Sequence, residues 1–240
     1  MKKVFIILTV LFCVIMVSFS VYYKKTITVL VGGDLIAFDV EVKEEAVQDE
    51  EYIQTSLKKL GILTYINPET NQFAALGHSI ANNQEVTEIE GKCYDVQFIT
   101  NNTKLQEAYL DEENPIGNVY YDNYSGIYGQ IDDITNKQYE KVETVNRYNI
   151  KKGKANILIN LNGERVDSYE VEILAINYLH SNKNIRVKIT DPRIIKETGG
   201  IVQGMSGTPL MQDGKLVGAI NCVSASNPQD GFAIFIDKLI

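Results

Sequence analysis

The sequence has no tryptophan, two histidines, three cysteines and five prolines in 240 residues. Each scarcity excludes something. Two histidines, with no C-x-x-C or H-E-x-x-H spacing, leave too few soft ligands for a zinc site, so no metal and no cofactor is expected. Cys13 lies in the apolar N-terminus, so only Cys93 and Cys222 remain to pair in the globular part. One disulfide is compatible with export, but two buried thiols are the simpler expectation, and no disulfide framework can be built. Basic clusters are missing as well. The net charge is −8, and no Lys/Arg block provides the electrostatic footprint that nucleic acid requires. Repeats of fixed period and low-complexity tracts are also absent.

What is present begins with a long apolar run. Lys2 and Lys3 precede an uncharged stretch from Val4 to Tyr23, closed by Lys24 and Lys25. Twenty residues at about 1.5 Å each span the roughly 30 Å of bilayer hydrocarbon. The stretch ends VSFSVYYKK, with tyrosines suited to the interface and no A-x-A-like cleavage site. Residues 1–25 are therefore expected to be a transmembrane anchor rather than a cleaved signal, with the C-terminal bulk exported.

The rest, with 45% hydrophobic residues, reads as β-structure. TITVLVGGDLIAFDVEV predicts two strands around Gly32-Gly33. EEAVQDEEYIQTSLKKLG, acidic first and basic last, suits a helix or an ordered linker. From Gly61 onward short strands alternate with turn signals. GILTYI-NPETN-QFAALGH predicts a hairpin, then follow KCYDVQFIT, YSGIYGQID, ANILINL, YEVEILAI and NIRVKIT, a second hairpin TPLM-QDG-KLVGAINCV, and GFAIFI. Many short strands and few amphipathic helices indicate an all-β barrel or sandwich. The simplest partition is an anchor (1–25), a short β segment with linker (26–60) and one catalytic-type domain (61–240).

GMSGTP, residues 204–209, carries the chemistry. Acyl transfer needs a hydroxyl on a rigid turn, with backbone N–H groups converging on the developing oxyanion. Here Ser206 would be the nucleophile and the Gly204 and Ser206 amides the oxyanion donors. Gly207 would clear space behind the serine, and the Asp213-Gly214 hairpin would buttress the loop. A lone Gly-Ser-Gly turn is more often only a turn, but the following proline and hairpin make the match more specific. The base is expected at His78, in FAALGHSI at a strand's mouth, whereas His180, in YLHSNKN, reads as a solvated turn residue. The orienting carboxylate is expected at Asp191, in TDPRIIKETGG, fifteen residues before Ser206. An Asp-Pro pair equally opens a short helix, with Asp as N-cap and Pro192 at the first helical position. Asp95, Asp122, Asp132 and Asp133 are competitors, and Asp34 and Asp39 are weaker ones.

FAALGHSI, SGIYGQI, KKGKANILINLNG with YEVEI, and TDPRIIKETGGIVQGMSGTPLMQDGKLVGAI together resemble the SpoIVB peptidases of endospore-forming bacteria. The resemblance runs from about Gly61 to the C-terminus, and VLVGGDLIAFDV is similar to the segment that follows the anchor in that family. It implies an all-β, chymotrypsin-like double β-barrel peptidase in which the GH histidine, TDP aspartate and GMSG serine act together. Those motifs fall on His78, Asp191 and Ser206. It also implies a protein substrate, a membrane-embedded sporulation regulator cleaved in the forespore intermembrane space to release late sigma-factor processing. Family members typically carry a PDZ domain after the post-anchor segment. Here Lys43 to Leu60 leaves too few residues for one, and this stretch is expected to be a solvated linker or a self-cleavage site. The alternative is a catalytically inactive, membrane-tethered β-domain that binds or scaffolds. The sequence leaves the oligomeric state open.

Overall fold

The computed structural model describes residues 26–45, 52–76, 78–79, 87–100, 105–132, 138–161 and 163–240. Residues 1–25, which carry the expected anchor, lie outside these. No helix among the described residues is long and apolar enough to cross a membrane.

The described chain is built almost wholly of antiparallel strands. The first set is β1 (Thr28–Val31), β2 (Leu35–Glu45), β3 (Tyr52–Ile66), β4 (Gln72–Ala75), β5 (Thr87–Thr100), β6 (Leu105–Leu110), β7 (Gly117–Asn123), β8 (Gly126–Ile131) and β9 (Glu140–Glu143). Pairing runs β2-β5-β7-β8-β4-β3, and β3 pairs back onto β2, so these strands close a ring. β1 and β9 extend the sheet from β3, and β6 hangs on β5. A second, closed barrel follows. It runs β10 (Gly153–Ile159), β11 (Asp167–Ile176), β12 (Ile185–Ile189), β15 (Asn227–Phe235), β14 (Lys215–Ser224) and β13 (Pro209–Gln212). The all-β double barrel expected from the sequence is thus present.

Strand periodicity explains the packing. In β12, IRVKI, Ile185, Val187 and Ile189 are buried while Arg186 and Lys188 face solvent, which is the period of two that a sheet with one wet face requires. Apolar runs without alternation sit where both faces are covered. In β14, Val217 and Ile220 enter the second barrel's core, whereas Leu216 and Ala219 join a separate cluster with Val29, Val31, Ala74, Ile234 and Leu239. That cluster takes residues from both barrels and seals them together. At about 1.5–3 kcal/mol for each fully buried Val, Leu or Ile side chain, such clusters dominate the stability of the fold.

Two expectations differ from the structure. In the stretch from Lys43 to Leu60 the described residues are strand rather than helix or linker. Lys43–Glu45 end β2 and Tyr52–Leu60 open β3, and the two strands pair residue for residue from Leu35↔Ile62 to Glu45↔Tyr52. At its basic end, Lys58 lies opposite Asp39 across the strands, 3.8 Å from its carboxylate, and also pairs with Glu112. The domain edge expected at residue 61 therefore falls inside β3. Secondly, β1 and β2 do not form a hairpin around Gly32-Gly33. The Gly32 and Gly33 amides donate to Thr64 and Leu63 carbonyls, so the chain continues along β3. A Cβ on Gly32 would stand 2.1 Å from the Leu63 carbonyl oxygen, so only glycine permits that approach.

Candidate active site

The loop between α1 (Pro192–Thr198) and β13 carries Ser206. Gly204 and Gly207 bracket it at φ +98° and +94°, a region that side chains rarely enter. Both barrels clamp this loop. From the first, the Ile62 amide donates to the Ser206 carbonyl (2.8 Å) and the Thr64 hydroxyl donates to the Gly207 carbonyl (2.7 Å). From the second, the Ile220 carbonyl accepts the Gly207 N–H (2.7 Å). Buried Met205 pins the centre of the loop, and its carbonyl accepts the Thr208 hydroxyl at 2.7 Å. Met205, Gly207 and Thr208 thus spend their amides on backbone carbonyls. The amides of Gly204 and Ser206 donate to no acceptor among the described residues. The Ser206 hydroxyl donates to the Asn221 carbonyl at 2.6 Å.

His78 follows β4 by way of Leu76, whose φ of +57° places a bulky residue in the left-handed region. This conformation costs roughly 1–2 kcal/mol, and packing enforces it. The Leu76 side chain fills the space a Gly61 Cβ would occupy, and the Leu76 backbone lies where a Gly207 Cβ would stand, 2.6 Å from its nitrogen. The turn leading to His78 therefore leans directly on the residue after Ser206. The exposed imidazole Nδ1 lies 3.0 Å from the Ser79 carbonyl oxygen. A carbonyl only accepts, so Nδ1 is the donor, and in the neutral ring this leaves the lone pair on Nε2, the form a general base needs. His78 and Ser206 are not hydrogen-bonded to each other here, as is common where catalytic contacts tighten only on substrate binding. The adjacent Ser79 hydroxyl donates to Asp122 Oδ2 at 2.5 Å, and Asp122 on β7 is fully buried.

Asp191 is the N-cap of α1. Its Oδ1 accepts the Arg193 amide (2.9 Å), the Arg193 guanidinium reaches both oxygens (3.0 and 2.7 Å), and Oδ2 accepts the Glu170 amide (3.2 Å). Arg193 first, with these backbone donors, holds the carboxyl down at about 2. No hydrogen bond joins Asp191 to His78. Among the competitors, Asp122 is bonded to the residue after His78, through the Ser79 hydroxyl. Asp34 and Asp95 line a separate cleft of about 960 Å³ with Tyr139 and Asn160, whereas His78, Asp191 and Ser206 do not line it. Asp39 faces Lys58, Asp132 accepts from Asn118, and Asp133 lies outside the described residues. His180 sits in the turn between β11 and β12. Its Nδ1 accepts the Asn182 and Lys183 amides, so it carries its proton on Nε2, opposite to His78. Leu76 had no sequence signal, because a leucine ending an apolar strand predicts nothing about φ.

Cys93 is buried and Cys222 half-buried, and both are free thiols. Burial, chiefly, pushes the Cys93 thiol up to about 12, which makes it inert. Among the described residues no three His, Cys, Asp or Glu side chains gather into a metal-binding group.

Comparison with known proteins adds the family. Among solved structures, the chain is similar to the active form of the Rv3671c protease from M. tuberculosis, at 11% identity and a TM-score of 0.41, over 85% of this chain and 76% of that one. It is also similar to the thermostable serine protease AL20 from an extremophilic microorganism, at 9% identity and a TM-score of 0.39, over 83% and 90%. No curated protein matches. The SpoIVB peptidase S55 family profile matches residues 45–240, from the last residue of β2 onward. The chain therefore belongs to the SpoIVB peptidases, family S55, and is a serine endopeptidase.

Proposed function

We propose that Ser206 is the nucleophile and His78 the general base of this peptidase, held to the membrane by residues 4–23. Its substrate is a membrane-embedded sporulation regulator, cleaved in the space between the two sporulation membranes to release late sigma-factor processing. The observation that carries the site assignment is the pair of amides, Gly204 and Ser206, that meet no acceptor among the described residues, on a turn whose other amides are engaged. A carbonyl seated there would receive two N–H donors as its oxygen becomes an oxyanion.

The Ser206 hydroxyl leaves the Asn221 carbonyl and attacks the scissile carbon, while His78 Nε2 takes its proton. The imidazolium then returns that proton to the leaving amine. Water repeats the cycle on the acyl-enzyme and frees Ser206. Asp191, engaged by Arg193 and the Glu170 amide, anchors the T-D-P turn from which α1 and the nucleophile loop depart.

The test compares the full chain with Ser206→Ala, following cleavage of a candidate regulator's ectodomain and processing of the chain's own N-terminal part. Loss of a triad serine removes about 10⁴- to 10⁶-fold of kcat. Equal behaviour of the two proteins would sink this reading and leave a tethered binding domain.

A further inference from the structure

We infer that Asp122, acting through Ser79, is the carboxylate that positions the catalytic imidazole. The inference rests on His78 being the base. Asp122 is fully buried on β7 and lies 43 residues from Ser79 in sequence, yet its Oδ2 accepts the Ser79 hydroxyl at 2.5 Å. Ser79 is held at its side chain by β7, and its carbonyl accepts the His78 Nδ1–H. The link Asp122–Ser79–His78 thus fixes both the orientation of the ring and the nitrogen that carries its proton. A free neutral imidazole exchanges between two tautomers, and only the Nδ1–H form offers Nε2 to Ser206.

Three features favour Asp122 over Asp191 for this role. Asp191 spends both oxygens on Arg193, the helix cap and the Glu170 amide, and it makes no hydrogen bond to His78 or Ser79. Asp122 belongs to the barrel that carries His78, on a strand of the same ring as β4. Its surroundings are also dry. The neighbouring Tyr128 hydroxyl is pushed up to about 12, by burial first, with the Tyr124 and Asp122 charges adding to the effect. A carboxylate in such surroundings acts on nearby groups with little screening.

The chain has only two histidines, so ¹⁵N spectra of the histidine-labelled full chain resolve both rings, with His180→Gln giving the assignment. In the unaltered protein His78 is expected as the Nδ1–H tautomer and His180 as the Nε2–H tautomer. Asp122→Asn and Ser79→Ala should turn His78 into a tautomer mixture and leave His180 unchanged. Both should lower kcat by roughly 10- to 100-fold with little change in KM, short of the ~10⁴-fold known for a directly bonded triad aspartate. Ser79→Thr keeps a hydroxyl and should restore tautomer and rate. If the buried Asp122→Asn protein fails to fold, the Ser79→Ala and Ser79→Thr pair reads the same link. Unchanged tautomer and kcat within twofold in Ser79→Ala would overturn the inference, as would Asp191→Asn alone randomising the His78 tautomer. Absence of Ser206-dependent cleavage in the unaltered protein would remove the peptidase reading, while the tautomer comparison would still decide whether Asp122 positions His78.

Discussion

Gly207→Ala tests whether the nucleophile loop is wedged between the barrels as the contacts indicate. A Cβ at this position would stand 2.2 Å from the Ile62 carbonyl oxygen and 2.6 Å from the Leu76 nitrogen, and φ is +94°. Both obstacles are backbone, so no side-chain rotation relieves them. The left-handed φ contributes about 1–2 kcal/mol and the overpacking about 1–3 kcal/mol, hence about 2–5 kcal/mol together. Gly214→Ala is the matched control. Gly214 has φ +72° and nothing within 4 Å of its Cβ position, so it carries the φ cost alone, offset in part by the roughly 0.4–1 kcal/mol that alanine gains through the unfolded chain. Urea unfolding of the two variants, read from midpoints at equal slope, should separate them by the overpacking cost alone, about 1–3 kcal/mol. Where Gly207→Ala still folds, the displaced Ser206 should lose about 10²-fold in kcat, the usual effect of a shift near 1 Å. A Gly207→Ala protein as stable and as active as Gly214→Ala would refute the wedge and the route by which it aligns Ser206 with the His78 turn.

Two further perturbations bear on the same loop. Asp191→Asn keeps a capping oxygen but loses the charge that Arg193 engages. Because the folded carboxyl lies at about 2, below its ordinary 3.8, its stabilisation is fully present above about pH 4 and is lost as pH falls through about 2. Arg193 is more than half exposed, so solvent screening reduces the contribution to about 1–2 kcal/mol. Thermal melts across pH should show that deficit at pH 7 and its disappearance near pH 2, and a gap independent of pH would contradict the charge argument. Thr64→Val removes the buried hydroxyl that donates to the Gly207 carbonyl. It should cost about 1–2 kcal/mol and lower kcat several-fold, and an unaffected rate would show that this bond does not hold the loop.

Much of the architecture was legible because strand signals are local. Alternation in IRVKI, the Asp213-Gly214 turn between β13 and β14, and Asp191-Pro192 opening α1 all express preferences carried by neighbouring residues. Long-range pairing was not legible. Nothing in TVLV indicates that β1 lies between β3 and β9 instead of against β2, because the deciding contact is Gly32 on the Leu63 carbonyl. The stretch from Lys43 to Leu60 misled for a related reason. Its charges look helical along the chain, but Lys58 at its basic end is answered across the strands by Asp39.

The same division runs through the site. The turn that presents Ser206 between Gly204 and Gly207 is local and announces itself in GMSGTP. The role of His78 depends on residues far away. Ile62 donates its amide to the Ser206 carbonyl and accepts the Leu76 amide on its own carbonyl, so one residue of β3 sets the spacing between nucleophile loop and base turn. The ring itself is held through Ser79 by Asp122, and no sequence motif ties those two together. Asp191 shows the converse. Its T-D-P signature is conspicuous because helix caps are local devices, and its two oxygens are committed to that local structure. A short motif thus reports reliably on the turn that contains it, whereas the partner of an imidazole is chosen by the barrel that closes around it.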